Sequence, residues 1–353
     1  IDKSLLSISS DLRKIALIII LIRAGLGINR ETLNKVGVTA FKLSFIPGVL
    51  EGLTILVVAS NLFKISKIEA GMLGFIIAAV SPAVIVPQML SFMERKMGEK
   101  KGIPTLILAG ASIDDVVAIT IFSAFLGMYG GEKINIVRQF MNIPLSIVLG
   151  ILIGFLLSVI LLYFFNHFHI RNTKKTLMIL GSAILLTALE DVLHDVIPIA
   201  SLLGVMVIGF VLLERKPALA QALSNKFNKV WVFAEILLFV LVGSQVNIFL
   251  ALDAGWMGLL IIFLGLVARS IGVYLSLIGT DMSFKEKLFC VIAYTPKATV
   301  QAAIGPVPLA AGVPSGDLIL ALAVLAIVIT APLGAIGIKV AGERILIEEE
   351  YVN

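Results

Sequence analysis

The chain has 353 residues, 59% of them hydrophobic and only 14% charged, with a formal net charge of +5 and a mean hydropathy of +1.07. A soluble globular domain does not have that composition, and apolar runs of about 20 residues recur along the chain, so it reads as a polytopic membrane protein with no room for a separate soluble domain. The single cysteine, Cys290, lies in an apolar run and says nothing about disulfides or metals, while His167, His169 and His194 fall at segment ends without ligand spacing and read as loop residues, which argues against a metal enzyme.

Eleven segments reach or approach spanning length: 12–28, 40–62, 70–94, 103–129, 143–166, 176–192, 199–213, 230–250, 256–279, 286–305 and 317–341. They are rich in Leu, Ile, Val, Ala and Gly without strict alternation, which indicates helices and not a β-barrel. The first follows a polar stretch that opens on Ile1, as expected of a chain that has lost N-terminal sequence, and no secretory signal pattern precedes it. It carries Arg23; the second carries Lys42 near its start and Glu51 at its centre. In the third, AVSPAVIVPQML places Pro82 and Pro87 in mid-span beside Ser81, and both prolines are expected to interrupt the helix. The fourth, with the string GASIDDVVAIT, has Asp114 and Asp115 at its midpoint.

The next four spans hold few charges. Segment 199–213 is short enough to be tilted or partly interfacial, and Glu235 lies about a turn into 230–250. Arg269 is central in 256–279. In 286–305, AYTPKATVQAAIG sets Pro296 among Thr295, Lys297, Thr299 and Gln301. The Gly- and Pro-rich stretch 305–317 reads as an extracellular turn, and the final EEEYVN as a solvated acidic tail.

Alternating the segment ends across the bilayer puts seventeen basic residues on one side, including Arg95, Lys96, Lys100, Lys101, Arg171, Lys174, Lys175, Arg215 and Lys216, against seven on the other. The richer side, with the C-terminus, is therefore expected in the cytoplasm. The positive charge is a topology signal and not a nucleic-acid footprint. A plasma or inner membrane is the expected location.

A carboxylate at mid-bilayer costs at least about 2.5 kcal/mol, and two neighbours repel one another besides. Central positions of separate spans share a depth, so Glu51, Asp114, Asp115, Arg269 and Lys297 are expected to meet in one polar layer. Structural ion pairs are the plain alternative, and five ionisable groups at one depth favour a proton or cation site. The order of landmarks adds to this. Counting spans, the proline-broken ones are third and tenth, and Glu51 and Arg269 lie in the second and ninth. An offset of seven, being odd, reverses orientation, which is the mark of an inverted-topology repeat with its site at the midplane. Spans two to four and nine to eleven (40–129 and 256–341) form the expected core, and 12–28 with 143–250 the scaffold.

SPAVIVP, KGIPTLILAGASIDDVVAIT, TPKATVQAAIG and RAGLGIN at 23–29 resemble the monovalent cation/proton antiporter superfamily, most closely its sodium/proton antiporter (NHA) branch. The resemblance covers essentially the whole chain. It implies an all-α inverted-repeat antiporter fold with two crossing, partly unwound helices (70–94 and 286–305), a homodimer formed through the scaffold, and one or two further helices before residue 12. It also implies Asp115 as the principal cation and proton carboxylate, Asp114 as its partner, and Lys297 as the lysine of the crossing helix. Ser81, Pro82, Pro87, Thr295, Pro296, Thr299 and Gln301 would line the crossing cavity. Arg269 stands where better-known bacterial relatives carry lysine, and an arginine effectively never deprotonates; it is expected to pair with Glu51 or to hold Asp114.

The expected function is secondary active exchange of Na⁺ or Li⁺ for H⁺ at an aspartate pair, Asp114 and Asp115, that titrates as a coupled unit, with Na⁺ the only metal held there and the lipid bilayer and a second copy of the chain as the other partners. Electrogenic and one-for-one exchange both fit the residues. A K⁺/H⁺ antiporter of the same fold and a sodium-coupled organic anion symporter are the alternatives. A channel would favour rings of charge over inverted landmarks. Nothing resembles a nucleotide-binding loop, and neither a cofactor nor an enzymatic activity is expected.

Overall fold

The computed structural model describes residues 9–28, 30–129, 136–193, 197–245 and 255–346. His194, Lys133, the end of the 230–250 segment and the acidic C-terminal tail lie outside them. The eleven expected spans are helical over most of their described residues: α1 Ser9–Gly27, α2 Arg30–Leu62, α3 Lys67–Ala78, α4 Pro82–Glu94, α5 Ile103–Tyr129, α6 Ile136–His167, α7 Asn172–Leu193, α8 Ser201–Arg215, α9 Pro217–Gln245, α10 Gly255–Ser276, α11 Phe284–Ala293, α12 Thr299–Ile304, α13 Val307–Ala310 and α14 Gly316–Ile345. Seven stretches among the described residues are long and apolar enough to cross a membrane by themselves. Of the remaining spans, α1 carries several charges, α8 has only 15 residues, α11 and α12 are the halves of a broken helix, and 230–250 is described only in part.

Two helices are interrupted, the third span and the tenth. The third stops at Ala79, which is extended at φ −61° and ψ 137°, and restarts with Pro82 in the first turn of α4. Ser81, extended at φ −100° and ψ 107°, has the backbone expected before a proline, and a proline at a helix start loses no hydrogen bond. Pro87 does not interrupt anything. It sits inside α4, as Pro47, Pro144 and Pro332 sit inside α2, α6 and α14, because one lost backbone bond kinks a well-packed helix without ending it. The tenth span unwinds after Tyr294 and resumes at Thr299. Both broken helices open with the same device. Ser66 and Glu69 form a capping box at α3, and Ser283 and Glu286 form one at α11.

The chain divides into two compact units, residues 1–34 with 141–243 and residues 35–140 with 244–353. In the first, α8 packs tightly on α1, and most of its side chains are buried, so it is a core helix and not an interfacial one. The backbones meet where side chains are absent: a Cβ on Gly25 would lie 2.0 Å from the Met206 carbonyl oxygen, and one on Gly209 2.5 Å from that of Ile22. Arg23 is committed to this unit. Its Nε donates to Asn228 Oδ1 at 2.6 Å, and its guanidinium lies 5.7 Å from the Trp231 ring centre. Lys14 pairs with Asp191 at 2.5 Å.

In the second unit α3 and α4 pack on α5, while α14 packs against α3, α4, α10, α11, α12 and α13. Ile55, Met72, Phe75, Phe122, Ile261 and Leu322 belong to one apolar core here. The 305–317 stretch contains α13 and is tied down, with Tyr129 Oη donating to the Gly312 carbonyl at 3.0 Å. Lys42 is exposed on α2.

Gly25→Val should destabilise the first unit by about 1–3 kcal/mol or more, since backbone cannot yield to a new side chain. Gly37→Ala, at a glycine with nothing within 4 Å, should leave the thermal midpoint unchanged or higher. Thermal unfolding of the detergent-solubilised chain checks both.

Candidate cation and proton site

The second unit brings the five intramembrane ionisable groups together. Asp114 and Asp115 are adjacent on α5, about 100° apart around its axis, and both are buried. Asp114 Oδ2 accepts from Arg269 Nη2 at 2.8 Å and from the Val80 backbone N–H, in the unwound stretch after α3, at 3.1 Å. Arg269, on α10 and only 1% exposed, also donates from Nε to the Tyr294 carbonyl at 2.8 Å. Its Nη1 makes an ionic contact of 3.1 Å with Glu51 Oε2, without hydrogen-bond alignment. The guanidinium thus meets both expected partners at once, and its fork shape allows this where an ammonium could hold fewer groups in fixed geometry.

Glu51 Oε2 is shared. It also accepts from Lys297 Nζ at 2.7 Å, and Nζ reaches on to the Ala78 carbonyl at 3.3 Å. That carbonyl ends α3, so the lysine places a cation at the negative end of a half-helix dipole. Gln301 Nε2 completes the cap by donating to the Ile76 carbonyl at 2.9 Å and that of Ala79 at 2.8 Å. These are orphan carbonyls that water would otherwise have to satisfy at bilayer depth.

The two unwound stretches touch directly. Ser81 N–H donates to the Pro296 carbonyl at 2.9 Å, and the Ser81 and Thr299 hydroxyls lie 3.3 Å apart. Lys297 N–H is received by Thr330 Oγ1 on α14 at 2.9 Å. Ser81, Pro296, Lys297, Thr299 and Gln301 therefore belong to the crossing. Pro82 only starts α4, Pro87 lies a turn beyond, and Thr295 turns its hydroxyl back to the Ile292 carbonyl of its own helix.

Asp115 is the exception in this network. It has no cationic partner among the described residues, and its Oδ1 is enclosed without a hydrogen-bond partner, as are Asp114 Oδ1 and Glu51 Oε1. Hard monovalent cations are bound by oxygen, and these are enclosed acceptors of that kind. Close approach is built in: a Cβ on Gly48 would lie 2.9 Å from Asp114 Oδ1, and one on Gly110 2.1 Å from the Tyr294 hydroxyl.

A family model described as the transmembrane sodium/hydrogen exchanger matches residues 2–343. The chain belongs to the sodium/hydrogen exchanger family. It is 34% identical to sodium/hydrogen exchanger 9B1 of Homo sapiens, over 96% of this chain and 67% of that protein. It is 33% identical to exchanger 9B2 of Homo sapiens, over 98% of this chain and 66% of that protein. The chain thus spans about two thirds of the length of these relatives. Its fold is that of the sodium proton antiporter MjNhaP1 from Methanocaldococcus jannaschii, with a TM-score of 0.74 at 20% identity, covering 98% of this chain and 88% of that one. The chain is accordingly a multi-pass membrane protein of the inverted-repeat antiporter fold, in a family named for ion exchange and not for catalysis.

Reading the sequence missed the Tyr294 and Ala78 carbonyls and the Val80 N–H, for which side-chain patterns carry no signal. It also missed Thr330, one hydroxyl in a long apolar helix, and the two capping boxes, which S-x-x-E at 66–69 and 283–286 did offer.

Asp114→Asn should destabilise the fold by about 3–5 kcal/mol, because it leaves Arg269 short of its hydrogen-bonded counter-charge. Asp115→Asn should leave stability unchanged or raise it, since it breaks no ion pair. Thermal unfolding of both variants at neutral pH separates the two roles.

Proposed function

We propose that this chain exchanges Na⁺ or Li⁺ for H⁺, with Asp115 as the carboxylate for which cation and proton compete. The observation that carries this reading is the inequality of the aspartates: Asp114 is bound to Arg269 and Val80, while Asp115 has no cationic partner among the described residues. Binding of either cation or proton neutralises Asp115, and competition for one group enforces exchange. A site with its carboxylate bare would carry an uncompensated charge, and crossing the bilayer in that state is costly. Leakage is thereby suppressed without any further device.

Charge counting favours one-for-one exchange. Arg269 and Lys297 balance Glu51 and Asp114, and the arginine stays charged throughout. Only Asp115 then alternates, between H⁺ and Na⁺, so both loaded forms carry the same charge and transport is electroneutral. We assign the unit that holds the site as transport core, moving by alternating access. Residues 1–34 with 141–243 are assigned as the scaffold through which a homodimer forms, with the C-terminus cytoplasmic. An unpaired carboxylate disfavours an organic anion as substrate. Potassium is separated from sodium by experiment.

In vesicles containing an internal pH dye, external Na⁺ or Li⁺ should drive proton movement in the wild-type chain and none in Asp115→Asn. A valinomycin-set potential of 100 mV should leave the rate unchanged, whereas an electrogenic step would feel about 2.3 kcal/mol per charge. Movement driven by K⁺ alone would reassign the substrate.

A further inference from the structure

The two capping glutamates do more than start their own helices. Glu286 Oε2 accepts from the Ser283 backbone N–H at 2.6 Å, and the same oxygen accepts from Lys101 Nζ at 2.7 Å. Lys101 lies two residues before α5, the helix that carries the aspartates. Glu286 is fully buried, and the Lys101 side chain is 28% exposed. At the other end of the core, Glu69 Oε2 accepts from the Ser66 N–H at 2.9 Å, while Oε1 accepts from the Ser315 N–H at 3.3 Å. Ser315 precedes α14, whose Thr330 holds the Lys297 backbone. Each broken helix is therefore pinned, at its outer end, to the helix that follows the broken helix of the opposite repeat.

From this exchange of partners we infer that Lys101 and Glu286 are positioning residues that set the depth of the aspartate pair. The inference rests on the antiport reading above. From Ile103 to Asp114 is a rod of about 17 Å, and α11 is one of about 15 Å. Their inner ends meet in the site, where Tyr294 receives Arg269 and Gly110 makes room for the Tyr294 hydroxyl. Their outer ends are joined by Lys101 and Glu286. A rod fixed at both ends cannot slide or tilt, and a slip of one helical turn (about 5.4 Å) would carry Asp114 beyond reach of Arg269. The two anchors differ in kind. The Glu69 anchor uses a backbone donor that only proline at Ser315 would remove, whereas the Lys101 anchor is an ion pair between two side chains, either of which can be replaced.

The test uses the full chain in vesicles. Glu286→Gln keeps an acceptor for the Ser283 N–H and loses the ion pair; Lys101→Met removes the ammonium and leaves the Ser283–Glu286 capping box in place. Each should raise the half-saturating Li⁺ concentration by about five-fold or more, the low end of ordinary site-to-site coupling, with maximal rate changed less than about two-fold. Lys101→Arg should restore wild-type behaviour. Ser283→Ala, which weakens the helix start and keeps the Lys101–Glu286 pair, should lower the thermal midpoint and leave half-saturation unchanged. Should a single variant fail to fold, the double Lys101→Met, Glu286→Gln strands no buried charge and should show the same shift. Half-saturation unmoved in Lys101→Met or the double variant, or moved equally by Ser283→Ala, overturns the inference. Amide hydrogen exchange reads the anchor without transport: Lys101→Met should speed exchange in the first turns of both α5 and α11, and Ser283→Ala in α11 only. An unchanged α5 overturns the anchor even if the wild-type chain moves no protons, an outcome that would by itself count only against the antiport reading.

Discussion

A guanidinium buried between two carboxylates is the constraint from which the rest of the core follows. Arg269 cannot shed its proton and cannot reach water, so the protein must supply its counter-charges and its acceptors. Asp114 supplies one, Glu51 the other, and the Tyr294 carbonyl receives Nε. That last bond requires an unwound stretch, because a carbonyl in the middle of a helix is already engaged. The break in the tenth span is thus part of what solvates the arginine. Lys297, beside the break, brings a second positive charge that Glu51 and the end of α3 absorb.

In the proposed exchange, this arrangement gives two chemically identical side chains different roles. Asp114 is held from two sides and belongs to the scaffold of charges. Asp115, one residue on and about 100° around the helix, has no cationic partner among the described residues. With lysine in place of Arg269 the first aspartate could be released when that lysine lost its proton, and both carboxylates could then enter the cycle. In the proposed one-for-one exchange the arginine removes that option. A single residue on α10 therefore bears on stoichiometry.

Much of this was legible in the sequence. Charges at mid-span are costly enough to be noticed, and Glu51, Asp114, Asp115, Arg269 and Lys297 do gather at one place. The two broken helices were marked by Ser81-Pro82 and by Pro296 among polar residues. Proline is an ambiguous signal, however. Pro82 and Pro87 look alike in a string of letters, yet only the first begins a helix, because what distinguishes them is whether neighbouring helices hold the turn together. Backbone donors and acceptors leave no trace in composition, so the Val80 N–H and the Ala78 and Tyr294 carbonyls could not be named in advance. Membership of the sodium/hydrogen exchanger family fits the motifs that first suggested it, while the roles of individual residues rest on the geometry.

The most direct test is the number of protons released when the solubilised chain binds Li⁺ in weakly buffered solution, titrated alongside calorimetric binding. With Asp114 held by Arg269 and Asp115 alone exchanging, about one proton should leave per cation bound at pH values where Asp115 is protonated, and Asp115→Asn should release none. Two protons per cation would show that both aspartates take part and would contradict the account. Proton release that persists in Asp115→Asn would move the site to another group.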